Sequence, residues 1–127
     1  MSAWSRIELD KIAKGEELQI SSRRRDGTLQ GPVTIWVVRD GDELYVRSVN
    51  GRTARWFRGT QVRREGHIRA GGVDRDVTFA DPDGDVGERL DRAYRTKYRR
   101  YAANIVNSVL TPQARAATLR LVPRENA

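Results

Sequence analysis

The sequence predicts a mainly β fold of the α+β class, a small antiparallel β-barrel with a short N-terminal helix and one long amphipathic helix in its C-terminal half. Three patterns lead there. Four or five short strand-like runs follow one another through tight turn signals. One of them, Pro32 to Arg39, is apolar on both faces, as a strand covered on both sides must be. Beyond residue 85 the apolar spacing changes from two to three or four, the helical period.

Taken in order, Ser5 and Glu8 form a capping-box pair ahead of Ile7, Leu9 and Ile12, with Gly15 at the expected end, so a helix is expected over 6–14. Barrel strands are expected within 17–80. Leu18 and Ile20 share a face before the Asp26-Gly27 turn, and Val33, Ile35 and Val37 share another while Trp36 and Val38 oppose them. Asp40-Gly41-Asp42 turns that strand back into Leu44 to Val49, giving a hairpin from Val33 to Val49. Arg52 to Gln61 follows neither period and reads as a loop or a single helical turn. A second hairpin joins His67–Ala70 to Val73–Ala80 through Gly71-Gly72, with Val77 and Phe79 facing inward. Asp85 and Glu88 then start a helix expected over 85–111, whose stripe includes Leu90, Tyr94, Tyr98, Tyr101, Ile105 and Val109, and which Pro112 ends or kinks. A last strand is expected over 117–123.

Composition bounds the chemistry. The 127 residues suit one domain. Lys and Arg total 24 against 17 Asp and Glu, an excess of 7 positive charges that favours phosphate-bearing ligands or polyanions. With no cysteine there is no disulfide and no thiolate chemistry. The N-terminal stretch has no apolar signal core and no run reaches membrane-span length, so a cytoplasmic location is expected. Asp81-Pro82-Asp83-Gly84-Asp85 imitates a calcium loop, but its glycine falls one place late and Arg92 stands where the bidentate Glu belongs. A polar turn explains it better. His67 is the single histidine and cannot assemble a zinc site without cysteines. Glu88–Arg92 and Asp91–Arg95 are acidic-first pairs four residues apart, as on a solvent face, and the three tyrosines of the stripe suit core packing better than base stacking.

The arginines carry the functional signal. Arg23, Arg24 and Arg25 precede one turn; Arg47, Arg52, Arg55 and Arg58 flank Asn50-Gly51 and the Trp56-Phe57 pair. Guanidinium forks match phosphate oxygens, glycine lets backbone approach, and an aromatic ring supplies a flat wall. A solvated basic surface is the plainer alternative.

Four motifs, PVTIWVVRDGDELYVRSVNG, ARWFRG, IRAGGVDRDVTF and ERLDRAYRTKY before ATLRLVP, resemble the split-barrel flavin and deazaflavin proteins from about Leu18 to Pro123. They resemble more closely a small family of unknown function beside the deazaflavin-dependent nitroreductases. The resemblance implies a split barrel, a homodimer, and FMN or a deazaflavin held at the dimer interface, with a small acceptor reduced there. It also implies that Arg24 or Arg25, Ser48, Asn50 and Gly51 hold cofactor phosphates and that Trp56 lies beside them. Two departures stand out: Gln30-Gly31-Pro32 replaces an Arg-x-Thr-Pro pattern, and RGTQVRREG replaces an Asn-Leu-x-x-Asn-Pro stretch. Arg47, Arg52 and Arg55 are the cations available as substitutes. Alternation along the strand sets Arg47 and Ser48 on opposite faces, which ranks Ser48 and Arg52 above Arg47. No side chain is singled out as catalytic. Two other readings remain: a nucleic-acid-binding barrel with Trp56 or Phe57 stacked on bases, and a binding or structural module of this fold without cofactor.

Overall fold

The computed structural model describes residues 3–124. Seven strands form one antiparallel sheet in the order β2-β1-β5-β6-β7-β4-β3. They are β1 (Leu18–Ser22), β2 (Val33–Ile35), β3 (Val38–Asp40), β4 (Glu43–Arg47), β5 (Glu65–Ala70), β6 (Val73–Ala80) and β7 (Thr118–Pro123). The two outermost strands, β2 and β3, are separated in the chain by Trp36 and Val37 alone. Two residues span too little distance to join the ends of an open seven-stranded sheet. The sheet therefore curls until its edges meet at a covalent corner, and the barrel is closed there by chain and not by a ladder. This is the split barrel anticipated above, with one correction: Pro32 to Arg39 is not a single strand but bends at Trp36-Val37 to serve both edges.

The bend takes Val37 out of both ladders, and its backbone groups find partners elsewhere, as buried groups must. Val37 N donates to the Tyr98 hydroxyl at 3.2 Å, and Val37 O accepts from Lys97 Nζ at 2.7 Å. Trp36 stacks on the Tyr98 ring at 3.8 Å between centroids, 4° from parallel.

Inside the barrel, the inward residues of alternate positions (Leu18, Ile20, Leu44, Val46, Val77, Phe79, Leu119, Leu121) form the main core. Helix α1 (Arg6–Lys14) adds Leu9 and Ile12 to it. Its start is the expected capping box, Ser5 Oγ accepting from Glu8 N at 3.1 Å and Glu8 Oε1 from Ser5 N at 3.0 Å. Helix α2 (Arg55–Arg63) adds Phe57. The sequence reading of that segment as loop or one turn is corrected. Its buried face is Phe57, Gly59 and Thr60, too poor in large apolar residues to show a period. Gly59 is what seats it: a Cβ there would lie 2.5 Å from Ser22 Oγ of β1.

A second core lies on the outer wall, where Val38 and Tyr45 meet Val86, Leu90, Tyr94, Tyr98, Val106 and Val109. The helix expected over 85–111 is in fact two, α3 (Gly87–Lys97) and α4 (Ala103–Asn107), and Pro112 opens a third, α5 (Pro112–Ala116), at its first residue. A straight helix of that length would run about 40 Å, while the longest strand spans only about 27 Å. Breaking after Lys97 lets the apolar stripe wrap the barrel instead of overshooting it.

One ion pair crosses this layer. Arg47, outward from β4, donates to Asp91 Oδ1 of α3 at 2.6 Å, with the two side chains 0% and 3% exposed. The same guanidinium donates to Val109 O at 2.8 Å, Thr118 Oγ1 at 3.1 Å and Gly87 O at 3.3 Å. Asp91 Oδ2 accepts from Arg115 of α5. Asp91 is thus turned inward, not paired with Arg95 on a solvent face as its spacing had indicated; that expectation is corrected. Burial alone would raise the Asp91 carboxyl, but hydrogen bonds from Arg115 and Arg47 outweigh it and hold the group below its ordinary 3.8.

Replacing Asp91 by Asn should cost about 3 to 5 kcal/mol in urea unfolding, because Arg47 is left as a buried, unpaired charge. A lowered carboxylate value means that the contribution is full above the unfolded value near pH 4 and is lost as pH falls through the folded one. Stability of the parent should fall across that acid window more steeply than that of Asp91→Asn.

Candidate ligand-binding cleft

Where the barrel is split, β2 pairs with β1 on one side only. Its free edge, Val33 to Trp36, faces the residues that follow β4, and α4 lies over the gap. The result is a cleft of about 460 Å³ whose walls include Val33, Ile35, Trp36, Val49, Ile105 and Val109, with Thr34, Asn50 and Ser108 as polar points. A second hollow of about 480 Å³ adjoins it along Val33, Asn50 and Trp56, and adds Arg24, Gln30, Gly31, Ala54 and Arg55. One continuous groove thus has a cationic end and an apolar end, with the Trp56 ring between them. Trp56 sits in the first turn of α2, braced edge-on against Phe57 at 6.0 Å.

The structure divides the residues that the sequence proposed. Arg24, Asn50, Arg55 and Trp56, far apart in sequence, come together on the groove. Arg24 Nη1 is occupied by Leu29 O at 2.9 Å and Thr28 Oγ1 at 3.3 Å, so it holds its own turn as well as facing the hollow. Arg55 has no hydrogen-bond or ion-pair partner among the described residues and is exposed. Arg25 lies exposed in the turn after β1, off the groove.

The other residues lie elsewhere or are committed. Arg47 borders the apolar end, but four of its five guanidinium N–H donors are taken by the contacts above, which makes it structural. Ser48 follows β4 and is fully buried, with its amide on Ala117 O at 3.1 Å and its Oγ without a partner among the described residues. Arg52 is committed to α5. It donates to Ala116 O at 2.9 Å at the end of α5 and lies over the Phe57 ring. Gly51, with φ +78°, opens a 3-10 turn (Gly51–Thr53) pressed on α5: a Cβ would lie 2.5 Å from Gln113 Cγ. Phe57 is 1% exposed and cannot stack on a base, which removes half of the stacking pair in the nucleic-acid reading.

Ile105 was missed as a site residue. Sequence spacing put it on the core stripe, whereas the break after α3 leaves it 45% exposed at the cleft, beside Val49 at 45%. His67 and the Asp81 to Asp85 stretch are outside the groove. His67 Nδ1 meets Asp76 Oδ1 at 2.8 Å across the β5-β6 hairpin, and Asp74 holds its other nitrogen. Asp85 Oδ1 accepts from Gly87 N at 3.4 Å at the start of α3, and no metal-binding cluster is present among the described residues.

A curled seven-stranded sheet with helices on its outer wall and a cleft at its split is the architecture of the split-barrel flavin and deazaflavin-binding fold group. The chain belongs to the bacterial family described as "Uncharacterized protein conserved in bacteria (DUF2255)", whose model matches residues 8–121. No curated protein matches it. Among solved structures it is similar to HutZ, the heme storage protein from Vibrio cholerae, with a TM-score of 0.61 at 15% identity over 99% of this chain and 93% of that one. It is similar to an F420 reductase, with a TM-score of 0.57 at 15% identity over 93% and 92% of the two chains. A FAD-binding protein from Mesorhizobium loti gives a TM-score of 0.55 at 14% identity over 97% and 92%. At these identities the likeness is one of fold.

Gly51→Ala should lower the urea midpoint for two separable reasons, the contact with Gln113 and the left-handed backbone. Adding Gln113→Ala should recover the steric part and leave about 1 kcal/mol of backbone cost.

Proposed function

We propose that this protein binds a flavin or deazaflavin in the groove at the barrel split, as a homodimer, and uses it to reduce a small hydrophobic acceptor. The observation that carries this reading is the polarity of the groove: an unpaired guanidinium at one end, a free carboxamide and an aromatic wall in the middle, and a mainly apolar slot at the other. A phosphate-tailed aromatic cofactor has the same polarity. The size fits as well, since each hollow lies within the roughly 300–1,000 Å³ of small-molecule sites.

In this reading Arg55 and Asn50 hold phosphate oxygens, with Arg24 supporting them from its fixed turn. Trp56 walls the ring, and Val33, Ile35, Val49 and Ile105 exclude water. When bound, the cofactor supplies hydride transfer at its ring. Among the solved structures of this fold are an F420 reductase and a FAD-binding protein, which supports the assignment by likeness only. The heme reading that HutZ invites has less behind it, because among the described residues no imidazole, thiolate or thioether lines the groove as an axial ligand. Exposed Val49 and Ile105 at the groove mouth support the dimer, since a second copy would cover them.

Titration with FMN and with a deazaflavin, followed by fluorescence, tests the site. Arg55→Ala should weaken binding about ten- to a hundredfold, the worth of a charge-assisted contact, while Arg99→Ala, off the groove, should not. Equal weakening would reduce the arginines to a diffuse basic surface. Binding that falls steeply with salt and prefers an oligonucleotide would instead promote the nucleic-acid reading. Light scattering should report about twice 14.5 kDa, and a strict monomer at micromolar concentration would remove the interface from the model.

A further inference from the structure

A groove of about 360 Å³ runs between α1, β3 and α3 and shares no lining residue with the cleft. Ala13, Val38 and Ala93 supply its apolar lining, and Arg39, Arg89, Arg92 and Lys97 its cations. Two of those cations are neutralised, Arg39 by Asp10 of α1 at 2.9 Å and Arg89 by Asp40 at 3.0 Å. Arg92 has no carboxylate partner among the described residues, so the groove keeps a net positive charge.

Lys97 is half-buried, and its environment differs from that of the other two lysines in the chain. Lys11 and Lys14 lie exposed on α1. The Lys97 amine has one polar partner, Val37 O at 2.7 Å, and lies 5.2 Å from the centre of the Tyr98 ring. A carbonyl accepts a hydrogen from a neutral amine as well as from an ammonium, though less strongly, so this contact survives in the neutral form. No carboxylate among the described residues pairs with Nζ directly; Arg39 from β3 and Arg89 and Arg92 from α3 are the charged side chains on the groove, and Asp10 and Asp40 are spent on two of them. Burial pushes the Lys97 amine down to about 8.

We propose that Lys97 is an acylation site, at which a small acyl phosphate is held by its phosphate on Arg92, with Arg39 and Arg89 adding to the field, and transfers its acyl group to the amine. The neutral Nζ attacks the acyl carbonyl carbon and a C–N bond forms. The C–O bond to phosphate breaks, phosphate leaves with that electron pair, and the proton shed by nitrogen goes to water. Nothing is oxidised or reduced. The amide product keeps one N–H for Val37 O, so the barrel corner survives the modification while the groove loses a charge.

The full chain is incubated with acetyl phosphate at pH 7.5 and acylation of each lysine is followed by peptide mass mapping. Lys97 should react about tenfold faster than Lys11 and Lys14, because its neutral fraction at that pH far exceeds that of an exposed lysine. Its rate should level off near pH 8, where theirs continues to rise. Arg92→Ala should slow acetyl phosphate at Lys97 several-fold and leave an uncharged acylating ester, N-hydroxysuccinimidyl acetate, unaffected. Equal rates at the three lysines would overturn the proposal, and so would an Arg92→Ala variant that slows both reagents alike or neither.

Discussion

The helical layer is held to the barrel by the buried Arg47–Asp91 pair, and much else follows from it. Arg47 reaches α3, the turn that follows α4, and β7 from a single guanidinium, so three segments distant in sequence are fixed relative to β4 at one point. Two charges withdrawn from water cost several kcal/mol each, and attraction offsets this only where the remaining donors and acceptors are filled. Here most are filled, by Val109 O, Thr118 Oγ1, Gly87 O and Arg115. Such an arrangement tolerates little displacement of α4, and α4 is the element that roofs the cleft. Arg47 thus shapes the proposed ligand site without being free to bind a ligand in it.

The cleft itself comes from the Trp36-Val37 corner. An ideal closed barrel has no edge, and its interior is filled by side chains. Joining β2 to β3 through two residues closes the wall covalently yet leaves β2 with one ladder partner. The unpaired flank of β2 then becomes a wall that a planar ligand or a second chain can face. The corner is made tolerable by α3: Tyr98 and Lys97 satisfy Val37, and the stacked Trp36 ring is covered by Tyr98 and Tyr101.

Most of the barrel was legible because its determinants are local. Ser5 and Glu8 cap α1, Gly71 and Gly72 turn the β5-β6 hairpin with positive φ, and alternation sorts Leu44 and Val46 from Tyr45 and Arg47. What escaped depends on long-range geometry. Nothing near Ala102 forbids a continuing helix; the break follows from the length of the barrel wall. Helix α2 hides because a glycine and a threonine form most of its buried face. At the site, residue type named a set of arginines but could not sort them. Arg47, Arg52 and Arg55 are alike in sequence, and only the fold assigns the first to Asp91, the second to a backbone carbonyl and the third to the groove.

That sorting changes how the basic composition should be read. An excess of 7 positive charges is a property of the whole chain, but attraction for an anion depends on cations that are not already satisfied. Arg23, Arg39, Arg64, Arg75 and Arg89 each face a carboxylate, and Arg115 and Arg47 share one. Arg24, Arg25, Arg52, Arg55, Arg58, Arg92, Arg95 and Arg99 face no carboxylate among the described residues; of these Arg24 and Arg55 border the groove at the split, and Arg92 the groove beside α3. A continuous track for a nucleic-acid backbone needs many unsatisfied cations in a row. Net charge therefore does not choose between a polyanion and a small phosphorylated ligand; the cations left unpaired beside a concave site decide where an anion can be held.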